Sequence, residues 1–300
     1  MEGRADLHIH TTHSDGAFSA RAIVGHARRA GLTTISITDH DSTGALDEAI
    51  AAGRDCGVAV IPGVELSTSL DGQDVHILGY FIDHTQSGVQ AHLKVLRKER
   101  LRRAERIVGR LNALNVPLPL EAVLDQAGHG SIGRPHIAHA MVELGLAQTY
   151  HEAFLKYIGA GRPAYEQHAK MTPREAVVLI AAAGGLSFVA HPGASITDDM
   201  LKTLLAEGVD GIETVHPCHT REQEAYFAGI AAEYYLLTSG GSDFHGTKKH
   251  GPDRLGTSTI PESSVAAMRR RLFERPRPHG LDFPPPVVPP TAGPRETGTA

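Results

Sequence analysis

Short β-rich apolar runs alternate along this chain with longer stretches whose apolar residues recur at helical spacing. The pattern predicts a strand over 5–10, a helix over 19–30, a strand over 33–39, a helix over 43–55 and a strand over 58–65. Another strand, 75–82, follows at once, with Asp71-Gly72 as the turn. Further on the alternation resumes as helix 173–183, strand 186–190, helix 198–206, strand 211–215, helix 221–232, strand 235–239 and a last strand near 255–260. Thr172-Pro173-Arg174-Glu175 opens one helix cleanly, with Thr172 as N-cap, Pro173 at the first helical position and Glu175 as capping-box partner. Such alternation predicts parallel strands covered by helices: an α/β barrel whose chemistry collects at the C-terminal strand ends.

Residues 88–168 break the rhythm. They read as helices without strands between them, over 88–113, 120–127, 134–145 and 150–158. The expectation is a discontinuous barrel, 1–87 and 169–274, with 88–168 as a helical insertion capping its mouth. Beyond 275 the chain turns to Arg-Pro-Arg-Pro and Pro284-Pro285-Pro286, and 275–300 is expected to be a Pro-rich disordered tail. The helix over 91–112 carries Lys94, Arg97, Lys98, Arg100, Arg102, Arg103, Arg106 and Arg110 against only Glu99 and Glu105. Such a run reads either as a solvated face or as an electrostatic guide for phosphates or a nucleic-acid strand.

Composition narrows the class. The formal net charge is −5, so no general basic footprint calls for nucleic acid. Cys56 and Cys218 follow no disulfide or zinc-finger spacing and suit a reducing compartment. The N-terminus runs directly into the first strand, and no apolar run reaches spanning length, so a cytoplasmic protein without a membrane partner is expected. No stable protein partner is expected either.

The chemistry lies where strands give way to loops. His8-Ile9-His10, Ser14-Asp15-Gly16, Thr38-Asp39-His40, Gly63-Val64-Glu65, Val75-His76, Ala190-His191-Pro192 and Asp243-Phe244-His245 supply six imidazoles and three carboxylates. On a strand, residues i and i+2 share a face, so His8 and His10 point together while Leu7 and Ile9 pack behind them. That is the donor set of a site for several metal ions at a barrel mouth. Asp39 and Asp41 flank His40 and are candidates to orient its imidazole. His26, His84, His92, His129, His139, His151, His168, His250 and His279 fit no partner pattern.

Taken in order, these motifs resemble those of the PHP family, the polymerase and histidinol phosphatase phosphoesterases. The resemblance covers about residues 4–260 and fills all nine ligand positions. It implies a distorted (β/α)7 TIM-like barrel, the PHP fold, with three divalent metal ions, Mn2+ first and Zn2+ or Fe2+ as substitutes. The implied sharing is His8, His10, Glu65 and Asp243 on one ion, Asp15, His40 and His245 on a second, and Glu65, His76 and His191 on the third. A hydroxide bridging the ions is the implied nucleophile on phosphorus. His219, in Val215-His216-Pro217-Cys218-His219, is the candidate proton donor or phosphate contact, the alternative being a packed loop histidine.

Gly133-Arg134-Pro135-His136 resembles the segment found in the branch acting on nucleotides and RNA ends. Arg134 at a helix N-terminus is the expected phosphate grip, catalytic as well as binding, with His136 beside it. The implied substrates are 5′-AMP, nucleoside 3′,5′-bisphosphates or 5′-phosphorylated short oligoribonucleotides. Two other readings stay open: a histidinol-phosphate phosphatase, and a barrel that binds metal or nucleic acid without catalysis.

Overall fold

Eight strands form one sheet in the computed structural model: β1 (Arg4–Asp6), β2 (Thr34–Ile37), β3 (Ala59–Leu70), β4 (Gln73–Tyr80), β5 (Leu186–Val189), β6 (Gly211–Val215), β7 (Leu237–Gly240) and β8 (Ile260–Pro261). The structure describes residues 3–167, 171–194, 196–246 and 254–274, so the Pro-rich stretch 275–300 lies outside the described residues. The spatial order is β7-β6-β5-β4-β3-β2-β1-β8. Residues just past β1 then meet the end of β7, where Leu7 N–H donates to the Gly240 carbonyl at 3.0 Å and His10 N–H to that of Phe244 at 2.9 Å. The strands thus curl into a nearly closed barrel, the distorted (β/α)7 architecture expected, with short β8 added antiparallel to β1.

The all-parallel expectation fails at β4, which runs antiparallel to both β3 and β5. Its cause is local. Asp71 (φ 49°) and Gly72 (φ 83°) both take positive φ, as a two-residue hairpin turn matched to the twist of antiparallel strands requires. The reversal brings the first half of β4, with His76, to the mouth, where the parallel strands present their C-terminal ends. The strand expected near 255–260 shrinks to β8 and leads into a helix that the pattern did not predict, α10 (Glu262–Glu274, numbered in chain order).

Helices α1 (Ala20–Arg29), α2 (Leu46–Cys56), α7 (Pro173–Ala182), α8 (Asp198–Ala206) and α9 (Arg221–Glu233) follow the expected alternation. Thr172 caps α7 reciprocally with Glu175: its Oγ1 accepts from Glu175 N–H at 3.2 Å, and its own N–H donates to Glu175 Oε2 at 2.7 Å. Beneath the mouth the barrel is filled by Leu7, Ile61, Leu78, Tyr80, Phe188 and Leu186, all buried.

Between β4 and α7 come α3 (Ser87–Ala113), α4 (Leu120–Ala127), α5 (Arg134–Glu143) and α6 (Tyr150–Ala153), the last running into a π-helical turn over Phe154–Ile158. Long α3 belongs to two cores. Val89, Leu93 and Leu96 pack with β3, β4 and α7, whereas Ala104, Ile107, Val108 and Leu111 pack with α4, α5 and α6. One rigid helix therefore carries the barrel's packing into that of the helical segment.

Candidate metal centre

Glu65, near the middle of β3, is the hub of the site. Its buried carboxylate lies among five imidazoles: Oε1 is 2.7 Å from His76 Nδ1 and 3.1 Å from His191 Nε2, and Oε2 is 3.1 Å from His40 Nδ1 and 3.3 Å from both His8 Nε2 and His10 Nε2. Asp243 adds Oδ1, 3.3 Å from His10 Nε2 and 3.5 Å from His8 Nε2. On the far side of His10, Asp15 Oδ1 lies 3.3 Å from His245 Nε2, and the His10 and His245 rings stack at 4.1 Å. The structure thus brings all nine sequence-chosen donors to one end of the barrel. Grouping by donor distance gives His8–His10–Asp243, His10–Asp15–His40–His245 and His40–Glu65–His76, and beside them His8–Glu213–His216 and His216–Cys218–His219.

The donors fit cations. His8 Nε2, His10 Nε2, His40 Nδ1, Asp15 Oδ1 and Glu65 Oε2 are buried polar atoms without a hydrogen-bond partner. Leaving such atoms unpaired costs about 1–3 kcal/mol each, so five converging on one place need a common counter-group. Ligands about 2.1 Å from a tetrahedral ion stand about 3.4 Å apart, which the 3.3 and 3.5 Å separations around His8, His10, Glu65 and Asp243 match.

Protons take the place of cations in the metal-free chain. Burial pulls His10 down, but the Asp243 and Glu65 carboxylates beside the ring outweigh it and hold it up at about 10. His8 is raised in the same way by Glu213, Glu65 and Asp243 against burial, and the Glu65, Asp15 and Asp243 carboxyls are depressed by the imidazoles around them despite theirs. His40 goes the other way, burial driving it well below the usual histidine range.

Neither neighbour of His40 orients it. Asp39 accepts from Thr11 N–H (2.7 Å), Thr11 Oγ1 (2.7 Å) and Ser14 Oγ (2.6 Å), shaping the loop that carries Asp15. Asp41 accepts from Ser67 N–H at 2.9 Å and pairs with Arg100 Nε at 2.5 Å, fastening α3 to the barrel. The ring of His219 is equally committed: Nδ1–H donates to the Thr214 carbonyl (3.0 Å) and Nε2 accepts from Gly193 N–H (3.1 Å). With no proton to spare, it does not fit the donor role. His136 is spent on scaffold too, its Nδ1 accepting from Gly133 N–H at 2.9 Å while the ring also bonds the Ser14 backbone.

Two residues of β6 and the loop after it escaped the sequence reading. Glu213 is fully buried, 2.9 Å from His8 Nδ1. His216 points Nε2, buried and without a hydrogen-bond partner, to 3.5 Å from Asp243 Oδ2, and its Nδ1 accepts from Cys218 N–H at 3.1 Å. A carboxylate inside the buried run Gly211–Val215 is the available signal, since the sequence reading draws only His219 from β6 and the loop after it.

The helical segment reaches the same mouth. A Cβ on Gly133 would stand 3.9 Å from Asp15 Oδ2 and 3.6 Å from an Arg100 guanidinium nitrogen, ordinary contact distances that set this turn beside the loop carrying Asp15. Arg134, the first residue of α5, sits over the rings of Tyr165 (5.4 Å) and Phe154 (5.9 Å) and 3.3 Å from Asp74. Arg103 shares Asp74 at 3.6 Å, and burial followed by the neighbouring Arg134 charge pulls it down to about 10. Tyr150, its hydroxyl raised by burial and then by Asp15, stands within electrostatic reach of both Arg134 and Asp243.

Comparison with known proteins agrees with this geometry. The chain is 34% identical over 265 residues to a 3′,5′-nucleoside bisphosphate phosphatase of Chromobacterium violaceum, covering 85% of this chain and 92% of that protein. It is 34% identical over 247 residues to the 5′-3′ exoribonuclease Rnm of Escherichia coli strain K12, covering 80% and 84%. A solved structure from Bifidobacterium adolescentis, described as a metal-dependent phosphoesterase, superposes with a TM-score of 0.81 at 33% identity over 90% of this chain and 98% of that one. The family model of the PHP domain matches residues 6–174, more than half of the sequence, and the chain belongs to the PHP domain family of metal-dependent phosphoesterases.

Proposed function

We propose that this phosphoesterase acts on nucleotides and prefers those carrying a second phosphate, as nucleoside 3′,5′-bisphosphates or the 5′ ends of short RNA, with singly phosphorylated 5′-AMP as the minimal substrate. The observation that carries the reading is the cationic wall beside the metal ligands. Arg97, Arg100, Arg103 and Arg134 stand there against two carboxylates, Asp41 and Asp74. Arg134, held by ring faces and only part of Asp74, keeps guanidinium edges for an anion, and its planar fork matches phosphate. Histidinol phosphate fits less well, because the rest of that molecule is cationic and would meet this wall.

The nine donors suit three divalent ions, Mn2+ by preference, which when bound would polarise phosphoryl oxygens and acidify water. The chain's own groups do the rest. Arg134 orients the phosphate not being cleaved and sets the reacting one toward Glu65 and Asp243. His216, whose Nδ1 accepts from Cys218 N–H, holds its Nε2–H toward Asp243 and can hydrogen-bond the leaving oxygen, which takes its proton from water. The helical segment 88–167 covers the mouth and limits water around the substrate.

Phosphate and mononucleotide release by the manganese-loaded protein tests this on adenosine 3′,5′-bisphosphate, 5′-AMP, a 5′-phosphorylated RNA oligomer and histidinol phosphate, with His191→Ala as the inactive control. Turnover of the bisphosphate or stepwise shortening of the oligomer is expected. Arg134→Ala should raise KM for the bisphosphate by roughly 10–100-fold, the worth of charged hydrogen bonds, and for 5′-AMP by less. Turnover of histidinol phosphate alone would overturn the reading.

A further inference from the structure

Glu213 touches two ligands from different strands with one carboxylate. Its Oε1 accepts from His8 Nδ1–H at 2.9 Å, and its Oε2 accepts from the backbone N–H of His191 at 2.7 Å. His8 belongs with His10 and Asp243, whereas His191 stands against the opposite oxygen of Glu65, beside His76. His191 also holds its backbone at φ 28°, in the left-handed region that few non-glycine residues occupy.

We infer that Glu213 is the positioning residue of this centre: it fixes the tautomer of His8 and the backbone of His191 together, so that the two sides of the site take up metal as a unit. The inference rests on the metal-binding reading of the nine donors. A carboxylate accepting at Nδ1 keeps the proton there and turns the Nε2 lone pair inward, toward Glu65 and Asp243. Both of its bonds are acceptor bonds. An ionised carboxylate can make both, but the amide of a glutamine offers one acceptor and one donor. Glu213→Gln therefore keeps the size and must fail one partner: either His8 moves its proton to Nε2 and presents N–H to the metal, or the strained His191 N–H faces another N–H. Glu213→Asp keeps the charge but is one methylene short of spanning the two.

The test is uptake of Mn2+ and Co2+, with metal per chain measured after dialysis against a graded competing chelator. It is paired with thermal unfolding of metal-free and loaded protein and with the absorption spectrum of the Co2+ form. The wild type is expected to load in one steep step. Glu213→Gln should melt near the metal-free wild type yet bind roughly 10–100-fold more weakly, lose the steepness and shift the Co2+ bands. Glu213→Asp should fall between them, and it decides the matter if the Gln variant does not fold. Full affinity, unchanged steepness and unmoved bands in both variants would overturn the inference while leaving the metal reading intact. A wild type that takes up no metal would sink the metal reading and this inference with it.

Discussion

His10 shows how one side chain is stabilised in two incompatible ways, by a proton or by a metal. Without metal, Asp243 and Glu65 hold its imidazole at about 10, above the ordinary value of 6.5 near which it would titrate in the unfolded chain. A raised base stabilises the fold fully below its unfolded value and loses that contribution as pH climbs through the folded one. The metal-free protein should therefore lose stability, on the order of a few kcal/mol, between about pH 6.5 and 10. The depressed Glu65 and Asp243 carboxyls act at the other end, their contribution vanishing as pH falls below the ordinary carboxylate range. Metal must displace the His10 proton, so apparent affinity should rise with pH, by up to about one decade per unit for each proton released. Unfolding scans of metal-free and loaded protein at several pH values check this: the metal-free midpoint should drop as the loaded one holds. A metal-free midpoint that stays flat across that window would show that the imidazoles are neutral and the donors satisfied some other way.

Among the elements, α3 ties the molecule together, because its two halves belong to two cores and one buried ion pair pins it between them. Arg100 donates to Asp41 (2.5 Å), to Ser67 Oγ (2.6 Å) and to the Ile132 carbonyl (3.1 Å), joining α3, β3 and the turn before α5. Arg100→Ala would strand a fully buried Asp41 and should destabilise the fold by about 3–5 kcal/mol in urea unfolding. Arg100→Met with Asp41→Asn, which removes both charges, should recover much of that loss, and equal losses in the single and double variants would contradict the pairing. None of this was legible in the chain, where Arg100 was one of eight basic residues on a helix and Asp41 a supposed support for His40. Periodicity gave the helices and strands, and i, i+2 spacing gave His8 with His10, because both depend on neighbours in sequence. The partners of Asp41, His136 and His219 are set by tertiary approach, of α3, the Ser14 loop and Gly193 respectively, and sequence spacing carries no record of it. Glu213 was missed for a related reason: a single buried acid in a strand acquires meaning only once His8 and His191 are seen on either side. The β4 reversal was different, since Asp71-Gly72 was read as a turn and its antiparallel consequence was not drawn.

At the scale of the whole molecule, a net charge of −5 hides a sharp partition. The outer arginines of α3 are answered locally: Arg102 pairs with Glu99, and Arg106 and Arg110 with Glu166. The inward ones, Arg97, Arg100 and Arg103, join Arg134 at the mouth. The basic helix is therefore two surfaces, an outer face of paired arginines and salt-screened Lys94 and Lys98, and an inner wall whose burial keeps salt from screening it. That division has a kinetic consequence. A single-stranded substrate held through Z phosphates should show a binding slope against log salt of about −0.7Z, so an oligomer engaging the metal ligands, Arg134 and Arg103 should fall with a slope near −2. The slope for 5′-AMP should be less than half as steep. Arg134→Ala should flatten the oligomer's slope by roughly one phosphate, whereas Arg106→Ala and Arg110→Ala should leave it unchanged, because both are tied to Glu166 on the outer face. Measuring kcat/KM for both substrates from 50 to 400 mM potassium chloride separates the surfaces. If the outer variants flattened the slope and Arg134→Ala did not, the RNA would run along the exposed face of α3, and the cationic wall at the mouth would lose its claim to the second phosphate.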